Sequence, residues 1–227
     1  VYETSLESKW IDRAIELADA MIAEFWDAGE DGFFLTGKSG EALVAQLKNP
    51  ADEAQPSANA VAALALTKLA RLTGDENYRG KADDSLQSFR GMIEKGPAGY
   101  TGLLSAMSAG NLAPVEVVFA GPKDHAGFDE MWKTLNTDYR PNKIIIWNEN
   151  ESTGELLPLA QGKAAEQGQP TVYLCQKNIC HAPVQTGTAL NKLLERPQEI
   201  RLNIFDEEKK NAQILEQEQS NFMGVMG

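Results

Sequence analysis

Ser57-Ala-Asn-Ala-Val-Ala-Ala-Leu-Ala-Leu-Thr67 carries no charged residue. A serine ahead of such a run can accept from the free N–H groups of a helical first turn, so Ser57 is read as a cap. A helix that is apolar nearly all round must be buried on most of its sides. Charges return at Lys68 and Arg71, and Gly74 supplies the stop. Upstream, Leu6, Trp10, Ala14, Ala18, Ile22 and Trp26 recur every four residues, with Ile11, Ile15 and Phe25 alongside. That spacing predicts an amphipathic helix of about six turns, broken at Gly29–Gly32, after which Phe33-Phe34 begins a short loop or strand. Downstream, Asp75 caps a third helix with Tyr78, Ala82, Leu86 and Phe89 on one stripe, and a fourth runs from about Tyr100 to Asn111. A two-layer bundle would expose part of the uncharged helix. The pattern suits inner and outer helical layers, and a complete toroid of that kind needs more helices than are present. The helical half is therefore expected to be incomplete, or covered by another surface.

The code changes at Pro114. Val115–Phe119, Lys143–Trp147 and Thr171–Cys175 are short apolar runs that read as strands, and Ile200, Leu202 and Ile204 alternate as a last one. Phe128, Met131, Trp132 and Leu135 mark a helix between the first two strands, and Thr188–Glu195 marks another. Strand, helix, strand favours a parallel pair with a crossover helix. The expected fold class is thus mixed α and α/β: helical hairpins of an incomplete toroid over residues 1–113, a small α/β unit with a mostly parallel sheet over 114–205, and a polar tail over 206–227. Residues 148–169 read as a long connection with little periodicity.

Composition narrows the function classes. The sequence has 227 residues and a net charge of −12, from 33 acidic and 21 basic side chains. Nucleic-acid binding depends on Lys and Arg neutralising phosphates, so this balance argues against it, and anionic membrane surfaces are disfavoured for the same reason. No apolar run approaches the roughly 20 residues of a bilayer span. No basic and apolar leader opens the sequence, and two cysteines do not make a disulfide framework; a cytoplasmic location is expected. The loop Ala120-Gly-Pro-Lys-Asp124 follows a strand, but neither a dinucleotide fingerprint nor a phosphate loop is present. Nor is there a nucleophile elbow or a His-Glu-x-x-His helix.

The only two cysteines lie five residues apart in Thr171-Val-Tyr-Leu-Cys175-Gln-Lys-Asn-Ile-Cys180-His181-Ala-Pro183. Three readings stand open. Two reduced, half-buried thiols demand least, since free cysteine often serves as a small buried hydrophobe. A turn would bring the pair within disulfide range as a redox pair, although the spacing is not Cys-x-x-Cys. Cys175, Cys180 and His181, with His125 from elsewhere, would also suit tetrahedral zinc.

Three strings occur together in a familiar order: Asp31-Gly-Phe-Phe34, Asp52-Glu-Ala-Gln-Pro-Ser-Ala-Asn59, and Thr171 to Pro183. With Leu66 to Asp75 and Arg140-Pro-Asn-Lys143 they resemble the C-terminal part of the thioredoxin-fused family of spermatogenesis-associated protein 20, whose bacterial members are called YyaL-type. The resemblance covers roughly residues 10 to 195. It departs at Ala58 and Ala60, where the family usually has Gly and Ser, and at Asp31, where a glycine is usual.

The resemblance implies a six-hairpin toroid similar to glycosidases and sugar epimerases, of which this chain is the last hairpins and the α/β end. Carboxylates at the mouth of such a toroid can work as acid and base on a glycosidic bond, so Asp31, Asp52 and Glu53 are the catalytic candidates. Asn59, Phe33 and Phe34 are the ligand-contact candidates, with satisfaction of loop backbone as the other reading of Asn59. Phe33, Phe34, Trp10, Trp26 and Tyr100 would all suit sugar stacking, but their helical or loop-packing spacing reads as core. No histidine lies in the helical half, which argues against epimerisation there. The expected role is structural: a fold-completing and partner-docking region whose partners are the remaining toroid and thioredoxin-like domains of a longer protein, or a second copy. The competing readings are carbohydrate processing and a redox or zinc module at Cys175, Cys180 and His181. No cofactor is otherwise expected.

Overall fold

Ser57 does cap the uncharged run. Its Oγ accepts from the Ala60 N–H at 3.1 Å, and α3 (Ala58–Thr73) ends at Gly74 with φ 72°. The computed structural model describes residues 1–40, 45–150, 153–177 and 179–195. Ala60, Ala62, Ala63, Leu66, Leu69, Ala70 and Leu72 of α3 are all buried, as a helix without charges requires. Around it lie α1 (Tyr2–Ser5), α2 (Lys9–Phe25), α4 (Glu76–Ser88), α5 (Arg90–Lys95) and α6 (Thr101–Asn111). The Asp75 side chain accepts from the Asn77 N–H at 2.8 Å and so starts α4.

Two details of the amphipathic reading change. Leu6 is not on the stripe of α2 but in a left-handed turn before it (φ 58°), and its side chain packs into the core of the sheet. Trp10 is 36% exposed. α2 meets its neighbours through Ile11, Ile15, Ala18 and Ile22, which leaves the flank bearing Trp10 outward.

The second half is a four-stranded sheet in the order β2-β1-β3-β4, formed by β1 (Val115–Ala120), β2 (Lys143–Asn148), β3 (Thr171–Gln176) and β4 (Ile179–Cys180). β1 and β2 are parallel, joined through α7 (Ala126–Leu135), as strand-helix-strand order predicts. β3 runs antiparallel to β1, so the sheet is mixed rather than mostly parallel. The cause lies in the connection. Asn148, at the end of β2, donates to the carbonyls of Ala160 and Lys163, and the Tyr173 hydroxyl donates to the Ala164 carbonyl at 2.7 Å. These bonds keep the connection, including α8 (Thr153–Leu156), at the end of the sheet where β2 finishes, so β3 must start back from there. The strand expected at 200–204 and the tail 206–227 lie outside the described residues.

One sheet face packs Val117, Phe119, Ile145, Val172 and Leu174 against Phe128, Met131 and Leu135 of α7 and Leu190 and Leu194 of α9 (Gly187–Leu194). The other packs Val118, Ile144, Ile146 and Tyr173 against Tyr2, Ile11, Ile15 and Leu72 from the helices. The described residues accordingly form one compact unit.

Candidate functional site

Four candidate residues of the helical half, Asp31, Phe33, Phe34 and Asn59, meet where the chain folds back after α2. Trp26 and Phe33 form an antiparallel bridge, their rings edge to face at 5.0 Å. Asn59 is wholly buried at the start of α3. Its Oδ1 accepts from the Phe33 N–H at 2.7 Å and its Nδ2 donates to the Phe33 carbonyl at 2.9 Å. Both ends of the amide are thereby engaged, and two backbone groups that would otherwise be stranded are satisfied. Gly32, with φ 79°, must be a glycine here, because a Cβ would sit 3.0 Å from the Phe89 ring and 3.3 Å from Asn59 Oδ1. Asp31 also has a left-handed backbone (φ 57°), and its carbonyl accepts from Lys48 Nζ at 2.9 Å. The same ammonium pairs with Asp27 at 2.7 Å and lies 5.4 Å from the Phe34 ring centre. Phe33, Phe34, Asp31 and Asn59 are thus brought together by Asn59 and Lys48.

Asp52 is engaged elsewhere. One oxygen accepts from the Ser57 N–H at 2.9 Å; the other accepts from the Thr101 hydroxyl at 2.9 Å and the Gly102 N–H at 2.7 Å. One carboxylate ties the start of α3 to the start of α6. The Gly102 N–H, followed by that of Ser57, holds its carboxyl below the ordinary aspartate range. Gly102 permits the approach: a Cβ there would lie 2.8 Å from Asp52 Oδ1 and 2.9 Å from the Ala60 Cβ. An ionised group with three donors fixed on it is suited to tying helices together and poorly suited to giving up or taking a proton near neutrality. Glu53 is exposed beside a shallow hollow of about 330 Å³ and accepts from Asn49 Nδ2 at 3.1 Å. The Thr101–Gly102 partners were not singled out from the sequence. The signal available was a glycine in the first turn of a helix, where only close packing explains it.

In the sheet, Cys175 and Cys180 form a disulfide between directly opposed positions of β3 and β4. The reading as two reduced thiols is corrected: the register of the hairpin places the two Cα atoms 4.0 Å apart. The zinc alternative loses its ligands in this state, since a disulfide offers no thiolate. His125 caps α7, its Nδ1 accepting from the Gly127 N–H at 3.0 Å, and the His181 N–H donates to the Leu174 carbonyl at 2.9 Å. Among the described residues no group of three His, Cys, Asp or Glu side chains is placed to hold a metal.

A larger groove, about 1030 Å³, runs between α3, α6 and the segment leading into β2. Arg71 forms its wall: Nη1 donates to Asn142 Oδ1 at 2.7 Å, and Nη2 donates to the carbonyls of Leu112 at 2.8 Å and Gly110 at 3.2 Å. Asn142 Nδ2 also donates to Leu112 at 2.9 Å. Two of the strings that carried the resemblance, Leu66–Asp75 and Arg140–Lys143, therefore meet in one polar joint.

A helical layer on a small mixed sheet, tied at Asn59, Asp52 and Arg71, is the class of fold present. Its relatives agree with the resemblance. Over 198 residues, 86% of the chain, it is 29% identical to spermatogenesis-associated protein 20 of Homo sapiens. It is 28% identical over 200 residues to the protein of that name from Rattus norvegicus. It is 24% identical over 199 residues to an uncharacterized protein of Caenorhabditis elegans. The chain spans about a quarter of the length of these relatives. No family model matches it. Among the described residues no helix is long and apolar enough to cross a membrane.

Proposed function

We propose that this chain is the fold-completing, C-terminal part of a longer polypeptide, docking through α3 and α6 onto the helices that would close an α/α toroid. The observation that carries the reading is an apolar stripe left outward on a helix otherwise buried. Val61 is 55% exposed, Ala58 and Ala65 are exposed beside it, Leu64 is half-buried, and Leu104 of α6 is 38% exposed. Positions 58, 61 and 65 share one helical face, the inner one in a layered assembly. Its occupant is argued from length: relatives about four times as long contain ample chain to cover it. A thioredoxin-like domain is part of this proposed whole. A cytoplasmic setting is proposed with it, from the composition, and cell fractionation tests that placement.

The docking reading is tested by sedimentation and hydrophobic-dye binding of this chain beside Val61→Glu. The bare stripe should make the chain bind dye or self-associate, and Val61→Glu should reduce both while leaving the melting temperature within about 2 °C, as surface changes usually do. A monodisperse monomer that binds no dye, indistinguishable from the variant, would sink the reading.

A further inference from the structure

We propose that Cys175–Cys180 is a redox-active disulfide entered at Cys180, with Glu116 as the acid that protonates the departing Cys175 sulfur. It is independent of the docking reading. Three observations carry it. First, the two sulfurs differ in access: Cys175 is 3% exposed on β3, whereas Cys180 is an exposed residue on the edge strand β4. A thiolate can reach only one of them, and exchange rates depend on access and on which sulfur is attacked.

Second, the register sets Ile144, Glu116, Cys175 and Cys180 in one row across all four strands. Directly opposed residues share a face with Cβ atoms about 4.5–5.5 Å apart. Their face is that of Ile144, Val118 and Tyr173, turned toward the helices. Glu116 is half-buried there and, among the described residues, no protein group donates to its carboxylate. The charges facing it are Arg71 from α3 and Lys163 from the connection, with the Tyr173 ring nearby on the same face. Burial outweighs the two cations and raises the Glu116 carboxyl above the ordinary range, which favours its proton-carrying form.

Third, a staple is little needed here. The bridge spans a sequence separation of only five residues, and short loops constrain the unfolded chain least. The strand is already held by its ladder to β1 and by the Val172–Val184 bridge.

The step balances as follows. An external thiolate attacks Cys180 Sγ, forming a mixed disulfide. The Cys175–Cys180 bond breaks and its electron pair goes to Cys175 Sγ, which takes the proton of Glu116. A thiolate left in apolar surroundings is unfavourable, and the proton removes that obstacle. A second thiolate then displaces Cys180, so two thiols of the reductant become one disulfide and the protein becomes a dithiol. The reductant class is a thiol or dithiol small enough, or exposed enough, to reach the β4 edge.

The test needs both a variant and the unchanged protein. Reduction by glutathione is followed by intact mass and thiol count from the lowest pH at which the chain stays folded up to pH 8.5, with rates divided by the glutathione thiolate concentration. The corrected rate for the native chain should fall as pH rises through the Glu116 titration. Glu116→Gln should be slower at low pH by about tenfold or more, the scale of general acid catalysis, and flat. Mapping on the native chain, which requires no variant, should place the mixed disulfide and the faster alkylation on Cys180. A Glu116→Gln profile that overlays the native one overturns the role of the acid. Equal alkylation of the two sulfurs, a mixed disulfide on Cys175, or a bond that resists excess dithiothreitol in the folded protein overturns the proposal as a whole.

Discussion

The corner around Asn59 and Asp52 and the row through Glu116 and Cys175 both hold buried or half-buried polar side chains, with opposite settlement. At the corner the polar groups are engaged: the Asn59 amide is paired at both ends and the Asp52 carboxylate takes three donors. In the row a carboxylate is half-buried with charges in view and, among the described residues, no donor on it. A satisfied group is committed to architecture, because moving its proton or its position breaks several bonds at once. One with no protein donor, half-buried beside two cations, carries its charge at a cost and is readier to change state.

The largest break in this contrast should come from Asn59→Ala. It strands the Phe33 N–H and carbonyl, and about 3 kcal/mol of stability should be lost; urea midpoints measure it. A loss below about 1 kcal/mol would mean that water takes over both bonds. Gly102→Ala comes next. In an open helix the change would gain about 1 kcal/mol, yet here the new Cβ meets Asp52 and Ala60, and a net loss of about 1–2 kcal/mol is expected. Gly80→Ala in α4 has open space around its Cβ and should show the ordinary gain, which makes the pair an internal control.

Asp52→Asn should cost about 1 kcal/mol or less, since the site is largely solvent-screened. Its folded carboxyl lies below the ordinary value. The contribution is therefore present above the unfolded pKa and lost as pH falls through the folded one, so native and variant should converge in acid. Glu116→Gln should do the reverse, and by least. With its folded carboxyl raised by burial, the native chain keeps that contribution below the unfolded pKa and loses it as pH rises through the folded one. The variant should be more stable by under about 1 kcal/mol at pH 8, after screening, and equal near pH 4. Parallel curves in both cases would erase the distinction between the two regions.

Helix existence was legible because caps and periodicity are local: Ser57, Gly74 and Asp75 act within four residues of where they stand. The parallel β1–β2 pair was legible for a similar reason, since a crossover helix leaves its own pattern. Strand direction in β3 was not, because it depends on Asn148 and Tyr173 reaching carbonyls 9 to 15 residues away. At the candidate site, Asn59 stood out as an amide in an uncharged run, but its partner lies 26 residues upstream. Asp52 was noticed as a mouth carboxylate; that its donors lie at Thr101 and Gly102 is a matter of tertiary packing. The Cys175–Cys180 bond depends on strand register, which one extra residue in the turn would have altered.

Arg71 binds groups lying 39 to 71 residues further along the chain, at the end of α6, the exit toward β1 and the approach to β2. A joint of that kind couples the fates of the parts it links. Heat should therefore melt the helical layer and the sheet in one calorimetric transition, with van't Hoff and calorimetric enthalpies equal. Arg71→Ala should lower the midpoint of that transition and broaden it without splitting it, because the apolar face shared by Tyr2, Ile11, Leu72, Val118, Ile144 and Ile146 still joins the two layers.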